Sequence, residues 1–160
     1  METGLAAWSD FGVAMAGATA ALAGLLIVAI SVNLEIIVAS KVLPARAGAA
    51  IGALVLACIA ACLILIPETP LWLYGIEVLV GAAMTMVLAG LAVARLHQDE
   101  HGSRAMKGLL SIAPPLVFAI GGILLVAGAP GGMRAVAAAC VVSIVAAVVV
   151  AWITLIEVRR

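Results

Sequence analysis

The chain has 160 residues, 67% hydrophobic and 10% charged, with eight Lys and Arg balanced by eight Asp and Glu. An ordinary soluble domain carries roughly 25% charged and 45–50% apolar residues, so a mean hydropathy of +1.36 excludes a water-facing surface without large apolar patches. No basic tract is interleaved with aromatics, which excludes a nucleic-acid partner, and the composition predicts an all-α, polytopic transmembrane helical bundle living in a lipid bilayer.

Residues 1–10 (METGLAAWSD) hold Glu2 and Asp10 and no Lys or Arg. A secretory signal begins with a positive region, so this end is expected to be retained. The first apolar segment, residues 11–40, exceeds the roughly 20 residues needed to cross a bilayer. Ala14, Gly17, Ala21, Gly24, Val28, Ser31 and Glu35 recur in it at steps of three and four and share one side of a helix. Small side chains let a neighbouring backbone come close, which is how helices associate in lipid. This stripe therefore marks the first span as the helix that the other spans, or other copies of the chain, pack around. Asn33 sits near its polar end.

A second span is expected at 47–66, after Lys41, Pro44 and Arg46, and it stops at Pro67-Glu68-Thr69-Pro70, because two prolines in four residues cannot continue a helix. A third runs over 71–94 and includes Trp72, Tyr74, Glu77 and Thr85. The polar stretch 95–107 forms a loop, and a fourth span covers 108–128 with Pro114-Pro115 inside it, where a kink is expected. Gly128-Ala129-Pro130-Gly131-Gly132 makes a tight turn into a fifth span at 134–156. The whole is one transmembrane domain.

Five crossings put the two ends on opposite sides. Lys41, Arg46, Arg95, Arg104, Lys107, Arg159 and Arg160 then fall on one side and Arg134 alone on the other. The positive-inside rule makes the N-terminus external, and the C-terminus and loop 95–107 cytoplasmic, in a multi-pass plasma-membrane protein. Trp8, Trp72 and Tyr74 then form an aromatic belt at the outer interface.

Few side chains carry chemistry. Glu35 can reach the cytoplasmic interface, or pair with Lys41 or Arg46, or stand with Ser31 at the inner mouth of a pore. Glu77 lies near the opposite face as an interfacial carboxylate, too far from Glu35 for a two-carboxylate hydrolase pair. Thr19, Thr85, Ser143 and Asn33 are sparse stations for a proton path. Cys58 and Cys62, one helical turn apart with Met84 and Met86 as further soft donors, are read as small apolar residues rather than a metal site. His97 and His101 flank Asp99 and Glu100 in the polar loop and are read as solvated; the HExxH order of a zinc protease is missing. With no nucleophile–base pair and no phosphate-cradling loop, the expectation is no enzyme activity, no cofactor and no metal.

The run VAMAGATAALAGLLIVAISVNLE, followed by Leu43-Pro44-Ala45-Arg46, is similar to small uncharacterised multi-span membrane proteins of actinobacteria, in keeping with a composition in which Arg outnumbers Lys and Ala, Val and Gly are abundant, as in a high-GC bacterial genome. Within it ALAGLLIVAISV loosely resembles the pore-lining helix of Orai calcium channels, which is rich in small residues and ends in an acidic one. Orai proteins have four spans with both ends cytoplasmic, and Glu35 meets their acidic position only after a shift. The readings that follow are a self-assembling, channel-like homo-oligomer lined by the first helix, or a non-catalytic accessory subunit of a larger respiratory, secretion or proteolytic complex that uses loop 95–107 as its contact.

Overall fold

The computed structural model describes residues 4–40, 42–95 and 104–158, with no side-chain description for 104–107 and 154–158. A short 3-10 turn, Gly4–Trp8, leads into α1 (Ser9–Val32), α2 (Leu34–Ala39), α3 (Leu43–Leu63), α4 (Leu71–Arg95), α5 (Arg104–Val126) and α6 (Gly132–Val158), and no strand occurs among the described residues. Five of these helices are long and apolar enough to cross a membrane, at Gly4–Val32, Leu43–Leu63, Leu71–Arg95, Gly108–Val126 and Gly132–Ile153. The all-α bundle with five candidate spans is the architecture expected above.

The span limits differ from that expectation in ways that local chemistry explains. The first span does not continue to residue 40. Asn33 sits in the bridge region at φ −113°, ψ 24°. Its side-chain amide donates to the Ala29 carbonyl at 2.9 Å, and its backbone N–H reaches back only three residues, to Ile30. The ladder tightens there and restarts as α2. The helix also ends before Lys41, because Ser40 is extended, at ψ 139°. Ser40 then accepts the N–H groups of Val42 and Leu43 on its Oγ at 3.2 Å each, starting α3 four residues earlier than residue 47. Pro44 lies within the first turn of α3 rather than in a loop, where its missing N–H costs nothing. At the other end, α5 begins inside the stretch expected to be a loop and continues through Pro114 and Pro115, both fully buried. Gly128 at φ +65° caps α5: Ala129 N–H bonds Leu124 O at 2.8 Å and Gly128 N–H bonds Leu125 O at 3.1 Å, a Schellman arrangement that needs glycine.

Packing places α3, α4, α5 and α6 in a closed ring, each touching the next and α6 returning to α3, with α1 docked on the outside of α3. Of the most apolar window in α3, 56% of residues are buried, against 17% in the first span. Of the two alternatives expected from its stripe, the first, that the other spans pack around the first one, does not hold: within the chain that helix is α3. The joints are made by small residues all the same. A Cβ on Gly75 would lie 3.0 Å from Gly122 O and one on Gly122 would lie 2.9 Å from Gly75 O, so α4 and α5 meet backbone to backbone. Gly121 sits similarly against Val136 of α6, and Gly12 against Ala61 of α3, its added Cβ 3.0 Å from the Ala61 carbonyl.

Candidate functional site

The α1 stripe is the first candidate. Ala14, Gly17, Ala21, Gly24, Val28 and Ser31 are all exposed, and so is Glu35 beyond the Asn33 break. Nothing lies within 4 Å of a Cβ added at Gly17 or Gly24. The face that docks on α3 instead carries Gly12, Thr19, Ala23 and Leu26, all buried. These positions are offset by two residues from the stripe, about 200° around a helix of 3.6 residues per turn. The stripe thus points directly away from its own bundle. Among the described residues nothing covers it.

The polar groups along this span are spent locally. Ser31 donates to Ile27 O at 2.9 Å, Asn33 to Ala29 O at 2.9 Å, and buried Thr19 to Met15 O at 2.6 Å. Thr85 and Ser143 do likewise, to Gly81 O and Ala139 O, each at 2.9 Å. A hydroxyl bonded to its own helix needs no partner elsewhere and is cheap to place in lipid. These residues do not line up as stations of a path inside the single bundle. Glu35 stands exposed on α2, and Lys41, one of its two expected ion-pair partners, lies outside the described residues.

A second cluster was not visible in the sequence. Tyr74, expected at the outer interface, is instead completely buried, and its hydroxyl donates across to Ala60 O of α3 at 3.1 Å. Glu77 lies one turn on in α4, and Cys140 of α6 is buried in the same core cluster as Tyr74. Glu77 is half-buried, with Oε2 wholly covered and without a hydrogen-bond partner in the described structure. Trp72 by contrast is 53% exposed, and Trp8 packs edge-on against Phe11 with ring centroids 5.9 Å apart. Trp72 is thus exposed, Trp8 is partly buried against the core, and Tyr74 is turned fully inward. The signal that separates them is spacing: Tyr74, Val78 and Thr85 share one face of α4 with Gly75 and Ala82 beside them, and all are buried.

Arg46 was expected just outside the second span, ahead of residue 47. The earlier start of α3 carries it into the helix, where it is 1% exposed. Pro44 is the sequence feature that foretells this, since proline favours the first turn of a helix. Cys58 directs its thiol to Ala16 O at 3.7 Å, so it serves the α1–α3 contact, while Cys62 is exposed and Cys140 buried. Among the described residues no three His, Cys, Asp or Glu converge as metal ligands. His97 and His101, and residues 96–103 of the polar loop, lie outside the described residues.

No protein family, no curated protein and no solved structure matches the chain. The candidate site stands on its own geometry.

Proposed function

We propose that this is a self-assembling, channel-like membrane protein in which copies meet along the α1 stripe. The observation that carries the reading is that the smallest-residue face of α1 points away from its own bundle, with empty space around Gly17 and Gly24. Such a face is suited to close helix–helix approach in lipid, where association comes from packing. Copies arranged with α1 innermost would enclose a path for ions or small solutes between the bundles. In that arrangement the N-terminus is external, the C-terminus is cytoplasmic, and Ser31 and Glu35 stand at the inner mouth, where a ring of carboxylates sets charge preference. The role is non-catalytic and needs no cofactor.

Purified protein in mild detergent is expected to run as a discrete homo-oligomer, and cation flux into liposomes is expected to fall with Glu35→Gln. A monomer that conducts nothing would refute the reading.

A second reading, an accessory subunit of a larger membrane complex, is favoured by the self-contained hydroxyls. Ser31, the last stripe residue on α1, and nearby Asn33 donate to their own helix and offer little to a water-filled path. In that case the α1 stripe seats against a foreign helix, and gentle purification from native membranes brings down a partner in fixed stoichiometry.

A further inference from the structure

Glu77 lies six residues beyond Leu71, about 9 Å into the span at 1.5 Å per residue. Leu73, Val80 and Met84 stand on its face of α4, one and two turns away, and are exposed by 37%, 57% and 68%. All three are apolar, so the open side of Glu77 looks out among alkyl groups. On its inner side, Tyr74 and Gly81 face α3: Tyr74 bonds Ala60 O, and a Cβ on Gly81 would strike Leu56 Cδ1. Glu77 thus sits on the lip of the α3–α4 seam, half-buried, with Oε2 wholly covered and accepting no hydrogen bond.

No cation stands near it among the described residues. α4 packs against α3 and α5. The charged residue of α3 is Arg46, fourteen residues before Ala60 and so about 21 Å down the helix. α5 has no charged residue over 108–126, and the next one on α4 is Arg95, about 27 Å further on. Arg134 is exposed at the start of α6, which packs on α5 and α3. The other titratable groups on these helices are Tyr74, Cys58, Cys62 and Cys140, none of them cationic, and the acids nearest in sequence at this end are exposed Glu68 and Asp10.

We propose that Glu77 is a proton-binding site, its ligand a single proton held on the carboxyl group within the apolar layer. A bare carboxylate there, with one oxygen covered and no donor to it, bears the full cost of a buried charge, and a group so placed takes up a proton instead. The covered oxygen also selects the ligand. It offers no surface to a metal ion or a lipid ammonium, and no set of ligating side chains converges on it. The hydroxyls of Thr85 and Ser143 are spent within their own helices, so this is one site for one proton and not a conducting path. It is separate from the α1 stripe and does not depend on self-assembly.

The test treats the full chain in phosphatidylcholine liposomes at neutral pH with dicyclohexylcarbodiimide, which dissolves in the bilayer and reacts with protonated carboxyl groups. The acid O–H adds across one C=N bond: its proton passes to nitrogen and its oxygen to the central carbon. The O-acylisourea then rearranges to a stable N-acylurea with no leaving group, so the peptide gains the mass of one reagent molecule. Peptide mass spectrometry is expected to find Glu77 labelled severalfold more than exposed Glu68, and labelling should fall as the pH is raised. The labelling is read on the unsubstituted protein and does not depend on a variant folding. Glu77→Gln, with helix content unchanged by circular dichroism, should lose the adduct and also the infrared carbonyl band of a protonated carboxylic acid. Absence of label at Glu77, labelling no greater than at Glu68, or an acid band that survives in the folded variant at full strength overturns the proposal.

Discussion

α1 and α3 are both rich in Gly and Ala, and the bundle uses them in opposite ways. In α3 the small residues spread over one broad side of the helix: Ala47, Ala50, Ala53, Ala57, Ala60 and Ala61 are all buried, and Val55, Ile59 and Cys62 alone are exposed. Several neighbours can approach α3 across that side, so it becomes the hub. In α1 only the Gly12 side is engaged, while the opposite face stays open between Leu25, Val28 and Val32, which are exposed by 66%, 59% and 78%. Small-residue content therefore marks a capacity for close approach. Which neighbour takes it up is decided by what surrounds each face.

Substitutions at glycine sharpen this contrast, beginning where backbones touch. Gly75→Leu should be the most damaging, because its first added carbon already meets Leu125 Cβ at 2.9 Å and Gly122 O at 3.0 Å. Overpacking of this kind costs about 1–3 kcal/mol, more where backbone blocks relaxation; the expected outcome is loss of monodisperse protein in detergent. Within α1 two identical changes should diverge. Gly12→Leu meets Ala61 O and should lower the thermal midpoint in detergent, with a cost in the same range of about 1–3 kcal/mol. Gly24→Leu meets nothing among the described residues of its own chain and should leave that midpoint unchanged or raised, while preventing the proposed self-assembly along the stripe. If both variants behave alike, the distinction between the engaged and open faces of α1 fails.

Smaller effects probe the polar atoms. Tyr74→Phe removes the bond to Ala60 O and is expected to cost about 0.5–1.5 kcal/mol, measured by thermal or denaturant unfolding in detergent. Ser31→Ala removes only a bond within its own helix on an exposed face and should change stability by no more than about 0.5 kcal/mol. A large loss in the second case would mean that the stripe hydroxyl has a partner in the assembled protein.

Much of the architecture was legible in the chain because lipid leaves it few options. Long apolar runs must be helices, and Pro67 to Pro70 and Gly128 to Gly132 punctuate them at turns that the structure keeps. The ends of the spans were less legible, because they depend on single side chains: Asn33 folding back on Ala29, and Ser40 capping two N–H groups of α3. The partner of each face was not legible at all. The alternation of small residues in α1 is the same whether a face meets α3, another copy or lipid, and only the surrounding helices separate Gly12 from Gly24. The burial of Arg46 and Tyr74 was not legible for a related reason: position along the chain sets the level of a residue, and it does not show the rotation about the helix axis that turns both inward.

The inward hydroxyls have a mechanical consequence. Thr19, Thr85 and Ser143 are each bonded to a carbonyl of the same helix, so a span can rotate or slide by a fraction of a turn without breaking those bonds. Resistance to such motion at these places comes from dispersion between interlocked alkyl groups, which changes gradually with separation. Bilayer thickness and lateral pressure can therefore reset the tilt of these helices by small increments, and α1, held on one side only, should be the first to respond.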